Sequence, residues 1–230
     1  MINDTSLISL LGSLNALAAG LFLLCTFGMV ATRQVQGCLR LFIAQSLFLV
    51  CSAFLLSGLL HAWHVFAVGV INLISKPFLI PWLLKRNIRD EIYSRREIDQ
   101  IINIPTSLLI ALALAIAAGF LAMPLLQFAG NPYIKVNLSI GLAGLLVGAF
   151  TASVRREAVP MLLGLLAMEN SAFLAGIAIV PELPLIAELA IAFDVLMLSF
   201  ILGLLTRTIH ERIGTTEVGM LTTLKEEPEP

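Results

Sequence analysis

The chain has 230 residues, 59% of them hydrophobic and 13% charged, with a net charge of -1. A soluble domain of this length needs far more polar surface to cover its core, so the excess of apolar side chains has to face lipid. The near-neutral charge argues against a nucleic-acid partner, and the three cysteines, Cys25, Cys38 and Cys51, have neither metal-ligand spacing nor a disulfide framework.

A transmembrane helix needs about 20 mostly apolar residues. Read in chain order, the sequence predicts seven: 7–30, 37–60, 65–84, 105–126, 134–152, 158–180 and 184–205. Apolar residues run continuously in these segments and do not alternate with polar ones, which selects helices over a barrel. The opening residues include Asp4 and no basic group, and the first apolar run is too long for a signal peptide, so it reads as a retained span. Trp63 and Trp82 fall near the ends of an apolar run, where amphipathic rings settle at a bilayer interface.

Twelve of the fourteen basic residues fall on one side of this arrangement. They are Arg33 and Arg40 near the first connection, then Lys85, Arg86, Arg89, Arg95 and Arg96 in the third. Arg155 and Arg156 follow in the fifth, and Arg207, Arg212 and Lys225 in the tail. The positive-inside rule then places the N-terminus outside and the C-terminus in the cytoplasm. The expected class is an all-α, multi-pass protein of the plasma or cell inner membrane. Its parts are a three-helix unit with a cytoplasmic loop (1–104), a linking helix (105–126), a second three-helix unit (127–206) and a cytoplasmic tail (207–230). The loop 85–104 mixes charge signs and reads either as a solvated connector or as a docking surface for a soluble partner. The two three-helix units share a faint repeat. Ala44-Gln45-Ser46 and Ser52-Ala53-Phe54-Leu55 in span two answer to Met168-Glu169-Asn170 and Ser171-Ala172-Phe173-Leu174 in span six, although the two landmarks have different offsets.

Charges within hydrocarbon cost at least about 2.5–3.5 kcal/mol each at a helix centre, so they are the most informative positions. Lys76 lies in span three, while Glu169 and Asp194 lie at the middle of spans six and seven. A buried carboxyl that exchanges a proton is the group a proton path needs. The competing reading is structural pairing between helices, Lys76 with Glu169 or with Asp194. Pro77 and Pro81 remove two backbone donors beside Lys76 and predict a kink there. Gln45 is the best-placed neutral group for a hydrogen-bonded water chain, with Asn170 and Glu188 as secondary candidates. Asn15 and Asn72 are expected to make interhelical hydrogen bonds. Gly144 and Gly148, with Gly141 before them, have the spacing of close helix packing. His61, His64 and His210 join no Ser–His–acid set, phosphate loop or zinc pattern, so no catalytic or metal-ligating residue is expected in this chain.

Several segments resemble hydrogenase-4 component E. In the second half these are Met168-Glu169-Asn170, Pro181-Glu182-Leu183, Glu188 and Asp194, with Gly214-Thr215-Thr216-Glu217-Val218 and Leu221-Thr222-Thr223-Leu224-Lys225 in the tail. In the first half they are Gln45-Ser46-Leu47, Lys76 with Pro81, and Arg86-Asn87-Ile88. The resemblance implies a non-catalytic membrane-arm subunit of a nickel-iron hydrogenase complex related to respiratory complex I. Its partners would be antiporter-like membrane subunits and a soluble hydrogenase module, and the nickel-iron site and iron–sulfur clusters would belong to those partners. Residues 127–206 resemble the K subunit of complex I, with Glu169 and Asp194 in place of its two buried glutamates. The front half departs from that pattern, because Gln45 does not titrate and Lys76 is a cation. A subunit of a multisubunit cation/proton antiporter is the alternative, since its small C-type subunit also resembles the K subunit.

Overall fold

The computed structural model describes residues 2–60, 63–82, 101–127, 132–179 and Gly203. In hydrocarbon every backbone N–H and C=O has to find its partner within the chain, so long apolar runs fold as helices. The described helices are α1 (Ile2–Ala31), α2 (Val35–Leu60), α3 (Trp63–Ile74), α4 (Ile104–Leu125), α5 (Pro132–Val154) and α6 (Ala158–Ile179). A π-helical turn, Ser75–Leu79, continues α3. Among the described residues, six helical stretches are long and apolar enough to cross a membrane and no β-strand occurs. The protein is thus an all-α, polytopic membrane protein. The first six expected spans coincide with these helices. The seventh, at 184–205, lies outside the described residues apart from Gly203, as do most of the loop 85–104 and the whole tail 207–230.

The helices pack as two hairpins, α1 with α2 and α5 with α6. Each hairpin turns through three residues, 32–34 in the first and 155–157 in the second. The hairpins lie side by side, α1 beside α5 and α2 beside α6. Like positions meet at like levels. Val35, Leu39 and Phe42 share one buried cluster with Val159, Leu163 and Leu166, an offset of 124 that Ser46 and Asn170 repeat in a direct hydrogen bond. In the other seam, Asn15 bonds Asn137 at an offset of 122.

The remaining helices flank this core. Helix α4 rests on α5 and α1 through Ser107, Ala111, Ala118 and Ala122, and its bulky side chains, such as Leu109 and Phe120, face outward. Helix α3 rests on α2, where the rings of Phe54 and Phe66 lie 5.0 Å apart. Trp63 and Trp82 stand at the two ends of this third span and both are exposed. At about 1.5 Å per residue they are about 28 Å apart along the axis, close to the ~30 Å hydrocarbon thickness.

The seam between α5 and α6 is built on glycine. A Cβ at Gly141 would meet the backbone nitrogen of Ala175 at 2.5 Å, and one at Gly148 would meet that of Met168 at 2.7 Å. At Gly144 it would meet the Ser171 Oγ at 2.5 Å. These helices approach to backbone contact, as small residues allow in membranes. At the end of the bundle that holds both hairpin turns, Arg155 is buried and its Nη2 donates to the carbonyls of Met29 and Val30. It thereby caps α1 from the connection of the other hairpin.

Candidate functional site

The π-helical turn is what brings a cation into the bundle. Pro77 has no N–H to give to the carbonyl four residues back, and an ordinary helical turn would be broken there. The chain widens instead, and the Ile80 N–H reaches the Ser75 carbonyl five residues earlier. Where the two prolines predict a kink, the structure has this π-helical turn. Lys76, 2% exposed, projects from the widened turn, and its Nζ lies 2.6 Å from Glu169 Oε2 on α6. The Glu169 side chain keeps 19% of its surface accessible. The ammonium is shut in, and the carboxylate is the more accessible member of the pair. Phe173, one turn further along α6, places its ring centroid 5.8 Å from Nζ.

Next to the ion pair, a neutral polar set crosses three helices. Asn170 Nδ2 donates to Ser46 Oγ at 3.0 Å and, over a longer 3.4 Å, to Gln45 Oε1. Gln45 Nε2 donates to Thr26 Oγ1 at 2.8 Å, and the Thr26 hydroxyl donates to the Phe22 carbonyl at 3.1 Å. All four side chains are fully buried. The donors run in one direction, from α6 through α2 to α1. The chain of bonds starts at Asn170, whose Oδ1 is buried and has no hydrogen-bond partner. That acceptor sits one residue from Glu169.

A second set lies roughly 10–16 Å away along the helices. Asn15 and Asn137 exchange amide hydrogen bonds of 2.9 and 3.3 Å, and Ser52 donates to Asn15 at 2.6 Å while accepting from Asn137 at 2.9 Å. This closed triad fastens α1, α2 and α5 together. Asn15 thus bonds across helices as expected, whereas Asn72 donates to the Val68 carbonyl of its own helix.

Of the sequence candidates, the structure brings Lys76 and Glu169 into contact and places Gln45 and Asn170 in the adjoining neutral set. Asp194 and Glu188 lie outside the described residues. Thr26, Ser46 and Phe173 are not marked as site residues by the sequence. Hydroxyls in spans commonly bond their own helix, and an aromatic residue in an apolar run gives no periodic signal. Among the described residues, no group of three or more His, Cys, Asp or Glu is placed to hold a metal ion. Cys25, Cys38 and Cys51 are free thiols.

No family model matches the chain, and no solved structure matches it. Four curated proteins are similar along nearly their whole length. An uncharacterized protein of Mycobacterium tuberculosis is 27% identical over 210 residues, 91% of this chain and 94% of the relative. Hydrogenase-4 component E of Escherichia coli K12 is 27% identical over 214 residues, 90% of this chain and 95% of the relative. The chain is thus similar to hydrogenase-4 component E, at low identity, over nine-tenths of its length. A likeness that takes in nine-tenths of both proteins is not the chance agreement of one apolar span with another.

Proposed function

We propose that this chain is a non-catalytic membrane subunit of a hydrogenase complex of the hydrogenase-4 type, in which Glu169 exchanges protons within the membrane. The observation that carries the proton-path reading is the buried Lys76–Glu169 pair, shut at its cationic end and open at its carboxylate, inside a membrane-spanning bundle. The likeness to hydrogenase-4 component E supports the choice of complex. On this reading a proton reaches Glu169 from its accessible side. Lys76 is its counter-ion, and the polar set of Asn170, Gln45, Ser46 and Thr26 offers hydrogen-bonding groups beside it. Gln45 and Asn170 do not titrate and serve as hydrogen-bonding stations only. Electron transfer and hydrogen chemistry belong to partner subunits, which carry the nickel-iron site and the iron–sulfur clusters. The further partners are antiporter-like subunits of the membrane arm.

The test compares wild type with Glu169→Gln, Glu169→Asp and the double change Glu169→Gln with Lys76→Met in native membranes. Assembly is read by recovery of the hydrogenase large subunit with the tagged chain, and function by both dye-linked and proton-coupled hydrogen activity. The proposed role predicts normal assembly and dye-linked activity for Glu169→Gln with coupled activity lost, and partial coupled activity for Glu169→Asp. Full coupled activity in an assembled Glu169→Gln complex would rule the relay out. Failed assembly that the double change restores would give the pair a packing role instead.

A further inference from the structure

Among the described residues the Lys76 ammonium has an ionic and an aromatic partner, and both come from one face of α6. Glu169 and Phe173 are four residues apart, so their side chains sit one above the other on the helix. Nζ lies 2.6 Å from the carboxylate and 5.8 Å from the ring centroid, within the reach of a cation–π contact. Lys76 itself is 2% exposed, so no bulk solvent replaces a lost partner. Phe173 is the only aromatic residue in α6. It is packed against clusters that contain Phe22, Leu49 and Leu174 on one side and Ala53 and Leu56 on the other.

A carboxyl that gains and loses protons beside a sealed lysine poses a problem for the lysine. Each time the carboxyl is neutral, the ammonium loses the counter-charge that the described residues give it, in a medium where a lone cation is costly. We propose that Phe173 is a positioning residue that holds the Lys76 ammonium, charged and in place, while Glu169 is neutral. The proposal rests on the reading of Glu169 as a titrating group. The negative face of the ring gives the cation a partner whose attraction does not depend on protonation. Lys76 then stays beside Glu169 through the neutral phase and is ready when the carboxylate returns.

The experiment is a thermal-unfolding cycle on the full chain in lipid nanodiscs, with Glu169→Gln as a fixed neutral form. Four proteins are compared: wild type, Phe173→Leu, Glu169→Gln and the double variant. The same four are then made on a Lys76→Met background. If Phe173 takes over as the partner, the double variant loses about 4 °C or more beyond the sum of the single losses, and this excess disappears once Lys76 is gone. Additive losses, or an excess that survives Lys76→Met, would overturn the proposal. Should Phe173→Leu fail to fold, fluorinated phenylalanines at position 173 keep the shape and weaken the ring's negative face stepwise. In the Glu169→Gln protein the unfolding temperature should then fall with each added fluorine, and an unchanged temperature across the series overturns the proposal equally. The cycle reads where the cation rests and not whether protons move. An additive cycle therefore sinks the role of Phe173 alone, while full coupled activity in Glu169→Gln sinks the relay and leaves the cycle's result standing.

Discussion

Alanine placed at different glycines of this chain should move stability in opposite directions, and the contacts say which way. At Gly141, Gly148 and Gly164 the new methyl would lie 2.5, 2.7 and 2.6 Å from the backbone nitrogens of Ala175, Met168 and Ala152 respectively. Carbon contacts are comfortable at about 3.5–4.0 Å, so α5 and α6 have to part by roughly 1 Å. A gap of that size forfeits about a quarter to a half of the dispersion energy along the seam. Overpacking of this kind costs about 1–3 kcal/mol, against a helix-propensity gain of about 1 kcal/mol for replacing glycine. At Gly144 the new methyl would lie 3.1 Å from Ser171 Cβ and 3.2 Å from Phe22 Cε1, contacts that a shift of a few tenths of an ångström relieves, and 2.5 Å from the Ser171 hydroxyl, which can rotate. Its 2.7 Å bond to the Ala167 carbonyl is worth about 1 kcal/mol, so the net change is near zero. At Gly20, Gly58 and Gly119 nothing lies within 4 Å, and only the propensity gain remains. Thermal unfolding in nanodiscs should therefore rank Gly119→Ala at or above wild type, Gly144→Ala near it, and Gly141→Ala, Gly148→Ala and Gly164→Ala below it, at about 2–4 °C per kcal/mol. A Gly148→Ala protein as stable as Gly119→Ala would refute the backbone contact on which the ranking rests.

Arg155→Met should destabilise by about 1.5–3 kcal/mol, the range for hydrogen bonds to a charged group, because two carbonyls at the end of α1 lose their donor. Arg155→Lys should recover only part of this, since an ammonium is a point charge and not a planar fork, and denaturant titration of both variants checks the order. A reporter active only outside the cell should work when fused after Leu60 or Val180 and fail after Asn87 or Pro230. A C-terminus found outside would overturn the seven-span arrangement drawn from the basic residues.

The spans were legible because hydrocarbon leaves the backbone one way to pair itself, and a continuous apolar run announces it. Lys76 and Glu169 stood out for the same reason, as charges where charge is expensive. Their partnership was half legible: the sequence offered Glu169 or Asp194 as the partner of Lys76, both at mid-span, and nothing in it chose between them. The prolines at 77 and 81 signalled a disturbed helix, but whether it would bend or widen depends on what packs against it. Asn15 and Asn72 looked alike as amides in apolar runs, yet only Asn15 found a hydroxyl and a second amide across the helix seam. Ser46, Ser52 and Thr26 gave no signal of a bond between helices, since a hydroxyl in a span is as easily satisfied by its own backbone. Arg155 counted in the sequence only as a loop charge marking the cytoplasmic side, while in the fold it is a buried cap.

Side-by-side hairpins with counterparts at equal heights carry a lesson about symmetry. Position 170 touches position 46, its counterpart 124 residues earlier, and the neighbouring counterparts are Glu169 and Gln45. Had the two hairpins been separate copies of one short polypeptide, every acidic side chain at this level would have been present twice, across a shared seam and in a medium that screens repulsion poorly. Joining both hairpins in one chain lifts that restriction. One site can stay an amide while its twin becomes a carboxylate, and a lysine from a neighbouring helix need balance only one negative charge.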